Sequence, residues 1–325
     1  MRFNTFFVLS LATLVMTAAG CNRDALAPDV QKGVTMVTVS VSAGDMSTKA
    51  ETQTAEEKAV TSLDVLVFDS DGNLEASEHT TGALITSPMS LSQDEKTVYA
   101  FANLPSGIIS TLTTKSACES YHATLAQNAP SSFFMKGKTV ETVGPTTYSI
   151  PVSISRDVFK VVMAAAPSFS GTAAGGVLNA VYLINVPKTF SAAPSYTMSD
   201  GAQMWNFDGT VAGTSEQDAL LKGSSWSASL YGYPNASAEA AAVTGKDAVT
   251  KLVLKCTVGG KTQWYPIAIR TTVANKRYVV NGVNISGLGS TEPNGYVGHE
   301  VLSVTVRDLD WEEGVITSSY LDWGV

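Results

Sequence analysis

The sequence predicts an all-β protein, two sandwiches in tandem with few short helices. Three observations predict it: many short apolar runs of strand length, turn signals between them, and few stretches of helical periodicity. Composition agrees: only 15% of residues are charged, and Ser, Thr, Gly, Ala and Val are abundant, as suits an exported β-protein. The formal net charge of -8 opposes phosphate, so nucleic acid is not an expected partner.

A targeting signal is expected at the first residues. Arg2 precedes an apolar run from Phe6 to Ala19, followed by Gly20 and Cys21. A basic start, a short apolar stretch and small residues before the cut describe a secretory signal, and the run is short for a membrane span. Ala18-Ala19-Gly20-Cys21 reads as a lipobox, with residues 1–20 removed and Cys21 lipidated. Acyl chains, at about 0.8 kcal/mol per buried methylene, would hold the precursor on a membrane without a spanning helix.

Residues 22–33 read as a tether. In Val34–Ser42, Val37, Val39 and Val41 alternate with Thr38, Ser40 and Ser42, the pattern of a half-buried strand. From Asp45 to Glu57 the sequence is polar, with Lys49 in its middle, and reads as a solvated, protease-accessible loop.

Further strands are expected at Leu63–Phe68, Thr97–Ala102, Tyr148–Ser153, Val158–Ala166 and Val177–Val186. Others follow at Trp226–Tyr231, Val249–Val258, Thr262–Arg270, Arg277–Ser286 and Val301–Val306. A helix is expected from about Ser116 to Gln127, stapled by Leu112. Arg156-Asp157 marks the expected boundary between an N-terminal sandwich (50–156) and a C-terminal one (157–325), with residues 21–49 as a removable propeptide.

The chain's last stretch, 315–325, follows a break at Glu312-Glu313-Gly314. Val315, Thr317, Ser319, Leu321 and Trp323 share one face of an extended strand with no partner close in sequence. Such a strand is a liability unless something covers it.

Chemistry-bearing patterns are sparse. Asp69, Asp71 and Asn73 have calcium-loop spacing, but Leu74 stands where glycine is needed, so a hairpin turn is expected and no metal site. His79, His122 and His299 are the three histidines and do not cluster in sequence. The carboxylates are too dispersed to nominate an acid/base pair, so no catalytic residue, cofactor or enzymatic activity is expected. Cys118 and Cys256 read as buried, unpaired thiols. Trp205, Trp226 and Trp264 admit a sugar-stacking platform, with core packing the better reading.

The order of these parts resembles the fimbrillins of Bacteroidetes, the type V pilus subunits. The resemblance rests on the lipobox at Cys21 and the strand Val34–Ser42 with its loop. It also rests on Ala59–Phe68 leading to Asp71-Gly72-Asn73-Leu74, on Val98–Pro105, Ser155–Val161 and Asn275–Gly289, and on Val304-Thr305-Val306 before Trp311. It implies two transthyretin-like sandwiches delivered to the outer membrane as a lipoprotein. It implies that a trypsin-like protease then removes the first strand, and that the C-terminal strand of another subunit fills the groove. The expected partners are therefore other copies in a head-to-tail homopolymer, the outer membrane and the protease; the expected role is a surface fimbrium in adhesion and biofilm formation. Lys49 is the expected cut, Lys58 the alternative. A tip or anchor subunit, or a glycan-binding surface lipoprotein, are the competing readings.

Overall fold

The alternating strand at the start of the chain is the central member of one layer, and the rest of the N-terminal fold is arranged around it. The computed structural model describes residues 33–43, 57–124, 127–128, 131–163, 165–184, 186, 190, 204–205, 211–212, 228–235, 250–269, 272–293, 295–298, 300–310 and 317–319. Among these the chain runs β1 (Val34–Ala43), β2 (Ser62–Phe68), β3 (Leu74–Thr81), β4 (Met89–Ser92), β5 (Glu95–Ala102), helix α1 (Lys115–Ser120), β6 (Met135–Thr142) and β7 (Ser149–Arg156). These strands join in the order β3-β2-β5-β6-β7-β1-β4. β6 and β7 pair through only two residue pairs, Met135↔Arg156 and Lys136↔Ser155. There the ribbon folds over, giving a β3-β2-β5-β6 layer and a β7-β1-β4 layer that share a core.

Strand periodicity explains why β2 and β5 of the first layer are buried on both faces. Leu63, Val65 and Val67 of β2, with Val98, Ala100 and Ala102 of β5, pack into the core that also holds Val37, Val39, Val41, Ile150, Val152 and Ile154. The alternate residues Leu66, Phe68, Tyr99 and Phe101 point to the opposite face, under Leu112, Cys118, Ala123 and Phe134. Phe68 meets Tyr99 edge-on at 5.8 Å and Phe101 stacks on Phe134 at 6.2 Å. A near-continuous apolar run thus marks a strand covered on both sides.

Helix α1 is shorter than its sequence suggests. Thr114 caps it, accepting a hydrogen bond from the Ala117 amide. Tyr121 is already extended (φ -72°, ψ 131°), which ends the helix at Ser120, well short of Gln127. Tyr121 turns to meet Phe134 edge-on at 5.4 Å, and His122 pairs with Asp157 at 2.7 Å. Tertiary contacts therefore override local helical preference.

The second half comprises β8 (Phe159–Met163), β9 (Ser168–Phe169), β10 (Val177–Ile184), β11 (Met204–Trp205), β12 (Val211–Ala212), β13 (Ala228–Gly232), β14 (Lys251–Val258), β15 (Lys261–Ala268), β16 (Lys276–Ile285), β17 (Leu302–Asp310) and β18 (Thr317–Ser319). One sheet has the order β13-β8-β16-β17-β18, with β9 also on β16; a second has β10-β14-β15. Val161, Met163, Val280 and Ile285 of the first sheet share a core with Leu183, Leu252, Leu254 and Ile267 of the second. No pairing among the described strands joins an element before Arg156 to one after it. The architecture is all-β, with sandwiched sheets.

Asp69–Asn73 is the hairpin turn between β2 and β3: Asp69 accepts from the Asn73 amide at 2.8 Å and Gly72 takes φ 88°. Cys118 and Cys256 are both free and buried. Trp264 is 9% exposed, packed against Tyr182, whose ring lies 5.9 Å away.

Asn103 closes β5. It adopts φ 56°, and its side chain accepts from the Thr61 amide at 2.8 Å while donating to the carbonyls of Ala59 (2.9 Å) and Phe133 (2.8 Å). Asn103→Ala removes these bonds and places a Cβ-bearing residue without local compensation in left-handed backbone. It should cost about 2–4 kcal/mol in equilibrium denaturation. Burial pushes the Cys118 thiol up to about 11, with a smaller push from Glu119, and burial pushes that of Cys256 up to about 12. Neither should react with a thiol reagent at pH 8 until denaturant is added, when both should react.

Candidate functional site

β1 is gripped along both edges. On one side it runs parallel to β7, from Thr38↔Ser149 to Ala43↔Ile154. On the other it runs antiparallel to β4, from Val34↔Ser92 to Val37↔Met89. Beyond β4 the grip continues through the preceding segment: the Val41 amide donates to Leu84 O (2.8 Å), the Thr86 amide to Val39 O (3.0 Å), and the Val39 amide to Thr86 Oγ1 (2.9 Å). Val37 and Val39 are fully buried and Val41 is 5% exposed. Val34 and Met36, on the outward phase, are 63% and 56% exposed.

This geometry defines a slot. Its floor is the apolar face of β2 and β5; its walls are β7 and the 84–92 segment. β4 has no strand partner other than β1 among the described residues, and β7 from Ser149 to Ile154 has β1 alone on its ladder. Withdrawing β1 would uncover three valines at about 1.5–3 kcal/mol each and leave two rows of backbone groups unpaired.

A buried ionic cluster stiffens one wall. Lys96 is fully buried, with Nζ 2.5 Å from Glu75 Oε2, in contact with Asp94, and donating to Ser92 Oγ at 2.6 Å. Glu75 also accepts from the Ser92 amide at 2.6 Å. Ser92 is the residue opposite Val34, and the neighbouring Gln93 amide donates to Gly33 O at 2.8 Å. The cluster thus fixes the β4–β5 turn where β1 starts.

A second polar cluster lies where the two halves meet. Arg156, 2% exposed, donates from Nη2 to Glu57 O (2.7 Å) and from Nη1 to Asn275 Oδ1 (3.3 Å). Glu57, 1% exposed, takes Lys160 Nζ at 2.5 Å and the Tyr231 hydroxyl at 2.6 Å on Oε1. Tyr231 packs on Phe133 at 4.8 Å.

Of the residues singled out from sequence, Val37, Val39 and Val41 fill the slot from β1. Thr317 and Ser319 lie in β18, which pairs antiparallel with β17 through Asp308↔Thr317 and Val306↔Ser319. The C-terminal strand therefore has a partner within the chain, a hairpin-like neighbour the sequence reading lacked. β18 and β1 belong to different sheets, so the structure does not bring them together. Cys21, Lys49, Val315, Leu321 and Trp323 lie outside the described residues, as does Trp226; of the Trp205 side chain nothing is described. Glu57, Lys96 and Lys160 were missed as structural residues. The signal was a lysine next to or within an apolar strand, as in Lys96-Thr97-Val98 and Phe159-Lys160-Val161.

Residues 35–156 match the family model of the major fimbrial subunit protein (FimA). Among solved structures, a protein of Bacteroides eggerthii described as a candidate cell adhesion protein is 20% identical, with a TM-score of 0.61 over 86% of this chain and 96% of that one. The fimbrilin FimA of Porphyromonas gingivalis is 13% identical, with a TM-score of 0.58 over 85% and 97%. The tip fimbrial protein Mfa3 of the same species, C-terminally truncated, is 16% identical, with a TM-score of 0.55 over 86% and 100%. At these identities the likeness is one of fold. No curated protein matches the sequence. The family matched is structural, and the resemblance to the Bacteroidetes fimbrillins holds.

Replacing Lys96 with Met would take the buried ammonium away from Glu75 and Asp94, two partly buried carboxylates. Lys96→Met should lose about 3–5 kcal/mol in urea denaturation, and adding Glu75→Gln and Asp94→Asn should restore most of it.

Proposed function

We propose that this chain, whose residues 35–156 carry the major fimbrial subunit domain, is the precursor of a polymerising surface subunit that exchanges β1 for the tail of another copy. The family match and the fold support a fimbrial or adhesion subunit. The observation that carries the finer reading is the slot: one strand, held on both edges and burying three valines, bridges β7 and β4.

The chain reaches the outer membrane as a lipoprotein acylated at Cys21. A trypsin-like protease cuts after Lys49, and residues 21–49, including β1, leave. Residues 315–325 of a neighbour then fill the slot, presenting Val315, Thr317, Ser319, Leu321 and Trp323. Main-chain bonds to β7 and to the 84–92 wall supply affinity, and the pockets vacated by Val37, Val39 and Val41 supply register. Donation from tail to slot is heterologous, so it need not close and can grow into a filament. The division into domains 50–156 and 157–325 belongs to this reading: the first accepts a strand and the second donates one. The filament would serve adhesion and biofilm formation, with no enzymatic activity of its own.

Two measurements test this. N-terminal sequencing of the surface-exposed protein should give a start at Ala50. Deleting residues 315–325 should abolish polymers in electron micrographs while the monomer stays folded; polymers that persist after the deletion would overturn the donor assignment.

A further inference from the structure

We propose that Glu57 is a clasp residue that shields the Lys58–Ala59 bond from trypsin-like proteases and fixes the chain start of the folded body against both halves of the molecule. Lys58 is exposed, so by side-chain accessibility alone it is as inviting a target as any lysine. Its backbone is another matter. The carbonyl before it, Glu57 O, accepts from Arg156 Nη2 at 2.7 Å. The carbonyl after the scissile bond, Ala59 O, accepts from Asn103 Nδ2 at 2.9 Å. Two residues further, the Thr61 amide donates to Asn103 Oδ1 at 2.8 Å. The Glu57 side chain is buried beneath, on Lys160 and Tyr231.

A protease must draw several residues around the scissile bond into an extended strand in its own cleft. For Lys58 this means extracting a buried carboxylate from a lysine and a tyrosine and breaking a charge-assisted bond to a buried arginine. Cleavage then follows the population of the locally opened form. The contacts come from β7, β8 and β13, so opening here also loosens the packing of Tyr231 on Phe133 between the halves.

The clasp therefore sets a limit: chain before Glu57 can be removed, and chain from Glu57 onward stays docked. Its bearing on maturation rests on the reading above, because it accounts for a cut at Lys49 in preference to Lys58. The shielding itself does not depend on strand exchange.

The test is native digestion of the full chain with trypsin, following the fragment that begins at Ala59 by N-terminal sequencing and mass. The unaltered chain should yield that fragment slowly. Glu57→Ala should release it about tenfold faster or more, as expected where buried charge-assisted bonds hold a segment closed. Glu57→Gln, which can still accept from Tyr231, should fall between them. If Glu57→Ala does not fold by circular dichroism, Tyr231→Phe decides: faster release supports the clasp and an unchanged rate overturns it. Rapid cleavage after Lys58 in the unaltered chain would also overturn it, whatever the polymerisation assays show.

Discussion

The lateral hydrogen bonding of β1 is the constraint on which the N-terminal half depends. A sandwich layer needs each strand to be paired along its length, and here two strands rely on the same neighbour. β7 has its own sheet on one side only at its last two residues, and β4 ends the order. The layer is thus three strands deep with its tie in the middle. A vacant slot would be a sheet with two loose edges over an exposed apolar floor, a state prone to indiscriminate pairing. The physical demand is that β1 be present or be replaced promptly.

That demand explains the investment in rigid surroundings. The Lys96 cluster holds one wall at Ser92, and Asn103 holds the end of β5 to Thr61 and Phe133. Removing charges from water is costly, so a fully buried lysine makes sense where its carboxylates also bind the turn that must stay shaped. The aromatic layer under α1 serves the same end from below. Phe68, Tyr99, Phe101 and Phe134 back the floor strands, so the face beneath β1 is held rigid from its far side.

Much of this was legible in the sequence, for reasons that vary by element. β1, β2, β5, β7 and β14 announce themselves through alternation or continuous apolar runs. β3 (Leu74–Thr81) and β6 (Met135–Thr142) do not, because their residues are largely polar and half or fully exposed; their strand character comes from pairing, not from a buried face. β4 is four residues long and is defined by β1. The slot valines were readable because period two is a strong signal. Glu57, Arg156, Lys160 and Tyr231 were not, since residues far apart in the chain meet only after both halves are built. The parallel pairings of β1 with β7 and of β8 with β16 are likewise invisible locally, being set by topology.

The mixed pairing of β1 has a directional consequence. A ribbon that keeps the ladder to β7 must travel the same way as β7 and opposite to β4, because reversing it would exchange slanted bonds for perpendicular ones and misplace every acceptor. The slot therefore reads chain polarity. In the proposed exchange a guest would arrive from the Gly33 end and finish near Ala43, so successive bodies could only be threaded with one heading, like arrows nocked in a single sense.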